Sequence, residues 1–414
     1  MHGKVRDILF FMKPAPTPIP PHGSPRRAGA KLPPFERVVV PAHEPTATGW
    51  VFQGAPEGFV SKSFDRPIAK AGEVVCDVVL SSICGSDLHT VHGRREEPAP
   101  LILGHEIVGR ITEIGGPGLS DWQGELLSVG DLITWSIMAS CGNCFYCKKN
   151  LPQKCLKLHK YGHCTCEGNQ PLSGGFSECI VLHPGTAIFK VPEHLDPVFV
   201  VPANCALATA FNAIETVGLQ AGETVLIQGA GLIGIYLAAI CKDLGASKVI
   251  VVDVNAKRLR IAERFRADIA VDLSESTGEA LTDLVNAFTH CHGVDVVFEA
   301  CGSDAVIEPG ARLLRKGGRY LVAGLVTADA RFDIPADLLT KNCLSVMGIH
   351  NYRPEHLARA MAFIDLHADS LPFDEIVSAV YPLSGLREAM KAASTGEHLR
   401  VALRCTPSKT NGSF

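Results

Sequence analysis

The segment Cys141-Gly-Asn-Cys144-Phe-Tyr-Cys147, followed by Cys155, sets four thiols in C-x2-C-x2-C-x7-C spacing. Four thiolates in one loop suit a closed tetrahedral zinc, which staples a lobe and keeps no open position for chemistry. A second set of metal-binding residue types is dispersed: Cys84 in Cys84-Gly-Ser-Asp-Leu-His89, His105-Glu106 after Gly104, and Cys205 in Asn204-Cys-Ala-Leu-Ala-Thr209. Spacing alone does not bring these together, and each taken singly is ordinarily a buried thiol or a satisfied histidine.

A third feature has the pattern expected of a phosphate-binding loop. In Val225-Leu-Ile-Gln-Gly-Ala-Gly-Leu-Ile-Gly234, Gly229, Gly231 and Gly234 fall in G-x-G-x-x-G register between an apolar strand and an apolar helix. The first glycine allows a tight turn, the second lets the backbone approach a pyrophosphate, and the third lets helix pack on strand. The N–H groups at the helix start, at Leu232 and Ile233, face the phosphates. Asp253 ends the next strand, where a carboxylate receives the ribose hydroxyls of NAD and repels the extra phosphate of NADP. Lys257 and Arg258 follow, so use of both coenzymes stays open.

The elements that carry these residues differ in texture along the chain. From Val38 to about Cys205, short β-branched runs such as Glu73 to Leu80 and Ile107 to Ile114 alternate with Gly/Pro punctuation, the pattern of an all-β body. From about Ala206, strands and helices alternate: Thr224 to Gln228, Leu232 to Leu244, Lys248 to Asp253, Ala256 to Phe265, Val294 to Glu299 and Arg319 to Ala323. Such alternation specifies a parallel sheet with helices on both faces. Helical patterns at Glu355 to Leu366 and Leu383 to Ala393 precede a last strand at Arg400 to Arg404. Residues 1 to 35 hold eight prolines and almost no apolar periodicity, which predicts a disordered arm.

Length and charge bound the function. A chain of 414 residues exceeds one hydrophobic core and predicts two domains. A formal net charge of -4 argues against a nucleic-acid or anionic-membrane partner. The fifteen cysteines are clustered rather than spread as a disulfide framework, which points to a reducing, cytoplasmic setting. Thr224 to Cys241 carries no charged residue and approaches the length of a membrane span, but three glycines interrupt it and no membrane partner is expected.

Taken in order around the glycine fingerprint, these segments resemble the zinc-containing medium-chain alcohol dehydrogenases from about Val38 to Cys405. The resemblance implies an α/β chain with a GroES-like β-rich catalytic domain at 36–205 and 349–414. A Rossmann doubly wound parallel-sheet coenzyme domain would occupy 206–348. It implies two zinc ions per chain, one of them catalytic on Cys84, His105 and Cys205. Glu106 would assist ligand exchange, Asp87 would orient His105, and Ser86 and His89 would carry the proton outward. A zinc-bound alkoxide then passes hydride to NAD, used in preference to NADP, or the reverse reaction reduces a carbonyl. A homodimer or homotetramer is the expected assembly.

Leu151 to Cys155, Lys160 to His163, Pro202 to Cys205 and His350 to Tyr352 further resemble the phosphonate-catabolism-associated subgroup. Arg94, Arg95 and Arg353 would then be the cations that meet an anionic substrate. The proline-rich arm and the Asp121 to Gly124 insertion depart from the family pattern. Two other functions stay open: an NADPH-dependent, zinc-independent quinone or enone reductase, and a non-catalytic zinc- and nucleotide-binding protein.

Overall fold

The strand Thr224–Gln228 is buried along its whole length, as a strand covered on both faces must be. In the computed structural model, which describes residues 44–168, 171–327 and 330–405, this strand is the pivot of a six-stranded parallel sheet. It pairs on one side with Lys248–Asp253 and on the other with Val294–Glu299. Ile269–Asp272 extends the first side, and Leu314–Val322 then Ser345–Gly348 extend the second. Strand order therefore reverses at the pivot, which opens a crevice at the carboxyl ends of the two central strands. The fold is α/β, with a Rossmann-type parallel sheet and a separate β-rich part.

Four of the strands begin and end as the sequence indicates: Thr224–Gln228, Lys248–Asp253, Val294–Glu299 and Arg400–Arg404. Several elements of the parallel sheet region were not read from the sequence, among them the short strands Ile269–Asp272 and Ser345–Gly348 and the helices Gly278–Thr289, Ile307–Arg312 and Ala336–Lys341. The expected strand Arg319 to Ala323 is the end of a longer one, Leu314–Val322.

The apolar stretch Thr224 to Cys241 is no membrane helix. It splits into a strand, a glycine turn and the helix Leu232–Asp243. Among the described residues, the helical stretch long and apolar enough to cross a membrane is Pro197–Val217, and it lies mostly buried within the protein. Its last part, Ala208–Val217, packs against Leu232–Asp243 and Pro354–His367, so its apolar surface is spent on the core.

The β-rich part is built on an antiparallel arrangement. Val74–Ser82 runs between Arg400–Arg404 and Glu106–Ile114, and Leu132–Ala139 pairs with the latter. Val377–Pro382 lies parallel to Arg400–Arg404 at the edge. The register sets Ser82 opposite both Glu106 and Ala402, so side chains from three strands far apart in sequence meet at one end of the sheet. A separate three-stranded sheet, Phe59–Asp65, Thr46–Phe52 and Leu101–Ile102, completes this part. The disordered-arm expectation for residues 1 to 35 lies outside the described residues.

Candidate active site and zinc centres

The dispersed set converges. Ligand atoms of Cys84, His105, Glu106 and Cys205 all lie within 4.8 Å of one another, and the two sulfurs are 3.9 Å apart. Zinc–sulfur bonds of about 2.3 Å in tetrahedral geometry place sulfurs about 3.8 Å apart, so the donors fit that ion.

Each donor is held by its local structure. Cys84 caps the helix Gly85–Val91, and its N–H donates to Asp87 Oδ2 at 2.9 Å. The other carboxylate oxygen of Asp87 accepts from Gly104 N at 3.3 Å and lies 3.4 Å from His105 Nδ1. One buried acid thus orients the imbalanced pair of nitrogens on His105, leaving Nε2 toward the sulfurs and 3.4 Å from Ser86 Oγ. Cys205 sits in a wide helical turn, Ala203–Leu207, where the Ala208 N–H reaches back five residues to Ala203 O. Such one-residue expansions re-aim a side chain and cluster at functional sites.

Asn204, wholly buried in the same turn, donates through Nδ2 to His105 O and Trp135 O, both at 3.0 Å. Tyr352 donates to Asn204 O and accepts from Ile137 N. These bonds fasten the Cys205 segment to the backbone at His105 and to the strand Leu132–Ala139.

Glu106 is fully buried, and Arg400 forks onto it with Nε and Nη2 each 2.8 Å from a carboxylate oxygen. Ser82 donates to the same carboxylate, and Arg400 Nη2 is 3.5 Å from Cys84 Sγ. Burial lifts the Glu106 carboxyl to about 7 against the pull of Arg400, so it changes charge near neutral pH. The hydrogen bond from Cys205 holds the Cys84 thiol well below its ordinary value and pushes Cys205 up, so the metal-free pair shares one proton. Burial opposes charge on His105, but Asp87 and the Cys84 sulfur outweigh it and raise the imidazole to about 10.

The clustered set forms the second centre. Sulfur separations are 3.4 Å for Cys141 and Cys155, 3.5 Å for Cys144 and Cys147, and 3.9 Å for Cys144 and Cys155. Backbone N–H groups of Cys141, Leu156 and Lys157 point at Cys155 and Cys144, which favours thiolates. All fifteen cysteines are free of disulfides.

The glycine loop has the shape its chemistry needs. Gly229 has φ +109°, and a Cβ on Gly234 would stand 1.9 Å from Gly229 O, so neither position admits a side chain. A Cβ on Gly231 would meet nothing closer than 3.9 Å, which leaves open space where a pyrophosphate would approach. The helix after it starts at Leu232 and Ile233, whose N–H groups have no intrahelical acceptor. Asp253 Oδ2 accepts from Ala230 N at 2.6 Å, and Oδ1 accepts from Val254 N and Asn255 N, which sets its charge beside the loop. Arg258 lies on the next helix with its Nε buried and without a partner among the described residues. The helix that leaves the glycine loop packs on the turn carrying Cys205, and its Tyr236 lies within electrostatic reach of Arg400 and Glu106. Coenzyme cradle and sulfur group are therefore neighbours.

Residues 70–193 match the family model described as an alcohol dehydrogenase GroES-like domain, and residues 233–365 match that of a zinc-binding dehydrogenase. An alcohol dehydrogenase of Geobacillus stearothermophilus is 31% identical over 292 residues, 69% of this chain and 79% of the relative. The chain belongs to the zinc-containing medium-chain alcohol dehydrogenase family. This zinc-dependent alcohol dehydrogenase also resembles the 5-exo-hydroxycamphor dehydrogenase of Pseudomonas putida, at 28% identity over 81% of the chain and 92% of the relative. A solved alcohol dehydrogenase structure from Thermotoga maritima superimposes with a TM-score of 0.82 at 31% identity, covering 87% of this chain and all of that one.

Not every residue singled out in the dehydrogenase sequence joins the site. Arg353 is engaged by Glu215 and Glu355, so its charge is neutralised by carboxylates and it is no free anion receptor. Arg95 pairs with Glu97 at 2.7 Å, and Arg94 is exposed. Conversely, sequence reasoning missed Arg400, Ser82 and Glu299, and used Asn204 and Tyr352 only as marks of family. Glu299 is wholly buried and accepts N–H bonds from Cys301, Gly302, Gly324 and Leu325, tying together the two loops beyond adjacent strands of the parallel sheet.

The four-cysteine centre predicts that Cys144→Ser lowers bound zinc from about two ions per chain to about one, with a lower melting temperature. Metal analysis by mass spectrometry checks it, and an unchanged zinc content would refute the assignment. The Cys84–His105–Cys205 group holds protons on His105 and Cys205 at pH 7 when empty, because both are raised. Zinc must displace them, so its affinity should climb with pH by about a decade per displaced proton per unit. Competition against a chelator at pH 6, 7 and 8 should show the ion leaving more readily as pH falls; pH-independent retention would contradict the protonation scheme.

Proposed function

We propose that this dehydrogenase takes hydride from the carbinol carbon of an alcohol and gives it to NAD, with Cys84, His105 and Cys205 holding the catalytic ion. The observation that carries the proposal is the meeting of those three donors beside the helix of the glycine loop. Zinc there supplies Lewis acidity that lowers a hydroxyl pKa toward neutrality, and nicotinamide supplies the hydride acceptor.

The protein residues do the rest. Ser86 Oγ, 3.4 Å from His105 Nε2, is placed to accept the hydroxyl proton. His89 lies three positions on along the same helix face and is half-buried, with an Nδ1 that no group among the described residues satisfies. Burial and the Arg94 charge lower its pKa, so it is neutral at pH 7 and able to receive that proton. Glu106, lifted to about 7 and steadied by Arg400, is placed to exchange with a departing ligand. Asp87 keeps His105 in the tautomer that turns Nε2 to the ion.

The carboxylate of Asp253 supports NAD over NADP, since its charge lies against the Ala230 N–H at the edge of the pyrophosphate cradle. Fifteen free thiols support a reducing, cytoplasmic compartment. The exposed edge strand Ser345–Gly348, with Val346 and Phe332 bare beside it, supports a homodimer or homotetramer. Membership of the phosphonate-catabolism-associated subgroup is supported by the Leu151 to Cys155, Lys160 to His163, Pro202 to Cys205 and His350 to Tyr352 segments alone.

Asp87→Asn should cost about 10- to 100-fold in catalytic zinc affinity or in kcat/KM while the four-cysteine zinc stays bound. An enzyme of undiminished activity would remove Asp87 from the mechanism. Assays of simple alcohols with each coenzyme should give a higher kcat/KM for NAD, and Asp253→Ser should narrow the ratio by about tenfold or more. Preference of the unmodified enzyme for NADP would overturn the coenzyme assignment.

A further inference from the structure

Three consecutive residues, His350, Asn351 and Tyr352, each bond to a different part of the protein. His350 Nδ1 accepts from Lys154 Nζ at 2.7 Å, an ammonium being able only to donate. Lys154 immediately precedes Cys155 of the four-thiol centre. Asn351 O accepts from Asn212 Nδ2 at 2.7 Å, on the helix Ala208–Val217 that continues from the Cys205 turn. Tyr352 is wholly buried, and its hydroxyl donates to Asn204 O, next to Cys205, while accepting from Ile137 N at 3.1 Å. One short segment therefore touches the surroundings of both metal centres.

Backbone geometry allows this fan of contacts. Asn351 has φ +57°, the left-handed region that asparagine enters more readily than most side chains, and the sharp bend it makes lets its two neighbours serve separate partners. The segment also starts from the coenzyme side of the parallel sheet. It leaves Ser345–Gly348 at that strand's carboxyl end, with Ile349 N still bonded to Val322 O at 3.1 Å. Ligands of such sheets lie outside the carboxyl ends of the strands, one mononucleotide to each half. With Asp253 assigned to the adenosine half, Val294–Glu299, Leu314–Val322 and Ser345–Gly348 make up the nicotinamide half. A shift of the segment at that end is not free, because parting Tyr352 from Asn204 O and Ile137 N would leave buried polar groups without partners.

We infer that His350-Asn351-Tyr352 is a coupling strap, through which coenzyme bound at the carboxyl end of the parallel sheet and the two metal centres act on one another. Tyr352 is a positioning residue for the ligand Cys205, and His350 is the hold on the four-thiol lobe through Lys154. The inference rests on the zinc and coenzyme reading above and adds a linkage to it. It gives the four-thiol centre, which has no open position for substrate, a part in coenzyme binding. Linkage of this kind is reciprocal: coenzyme that favours the strapped arrangement tightens the catalytic ion by the factor with which the ion tightens coenzyme.

The test uses the full-length, zinc-loaded protein and NADH, and reads binding without turnover. Chelator competition followed by metal analysis gives the affinity of each ion with and without saturating NADH, and NADH fluorescence gives the coenzyme Kd. NADH should tighten the catalytic ion by about fivefold or more. In Tyr352→Phe that tightening should vanish while the four-thiol ion stays bound. Lys154→Met and His350→Leu should each weaken NADH by about two- to tenfold with both ions retained. The double variant should be no weaker than either single one, because both changes remove the same bond. Full tightening in Tyr352→Phe, no tightening in the unmodified protein, or additive losses in the double variant would overturn the strap. Should Tyr352→Phe fail to fold, the Lys154 and His350 variants decide alone. A protein that holds two ions and binds NADH without linkage loses only the strap, whereas one that holds no second ion or binds no NADH loses the reading beneath it as well.

Discussion

The structure depends on holding two sulfurs and an imidazole within bonding range of a single ion, although their residues come from a helix cap, a strand entry and a helical turn. Mutual repulsion of thiolates and the cost of burying charge both work against that meeting. What secures it is a set of buried hydrogen bonds made by residues that are not ligands. Asp87 fixes the cap and the imidazole together, and Asn204 fastens the sulfur-bearing turn to the backbone at His105 and Trp135. In a low-dielectric interior each such bond resists displacement strongly, because the freed group would be left without a partner.

The same logic governs the charge beneath the ion. Glu106 and Arg400 are both withdrawn from water, and they tolerate it only because they fork onto each other with Ser82 filling a further lone pair. Sheet register makes this arrangement: Val74–Ser82 lies between the strands that carry the acid and the base. The site is thus an outcome of strand order as much as of residue identity.

Much of the fold was legible because its signals are local. Thr224–Gln228 and Lys248–Asp253 are short β-branched runs ended by glycine or acid, and the glycine fingerprint fixes the turn between strand and helix. The four-thiol centre was legible for the same reason, as its ligands share one loop. Gly278–Thr289 passed unread although Leu281, Leu284, Val285 and Phe288 follow a helical period and Thr277 caps it, because polar residues fill the rest of its surface. The catalytic group was different. Cys84, His105 and Cys205 carry no common periodicity, and only likeness to a family joined them. Arg400 gave no signal as a site residue and Asn204 only a mark of family, since a strand arginine and a helix asparagine become specific only through what they meet in three dimensions. The expansion of the turn at Cys205 is likewise invisible in sequence, being a matter of one hydrogen bond reaching five residues instead of four.

The contact between Arg400 and Cys84 spans 316 positions. A ribosome adding roughly 5 to 20 residues per second needs about 15 to 60 seconds to make the second after the first. For the part of that interval after Cys205 emerges, the two sulfurs and the imidazole are already translated while their guanidinium is not, so the nascent polypeptide offers thiols and the Glu106 carboxylate without their Arg400 partner. The four-thiol loop, by contrast, is complete within fifteen residues of its first cysteine. Metal capture during synthesis is therefore expected to be sequential, with the stapling ion seated long before the reactive one has a finished home.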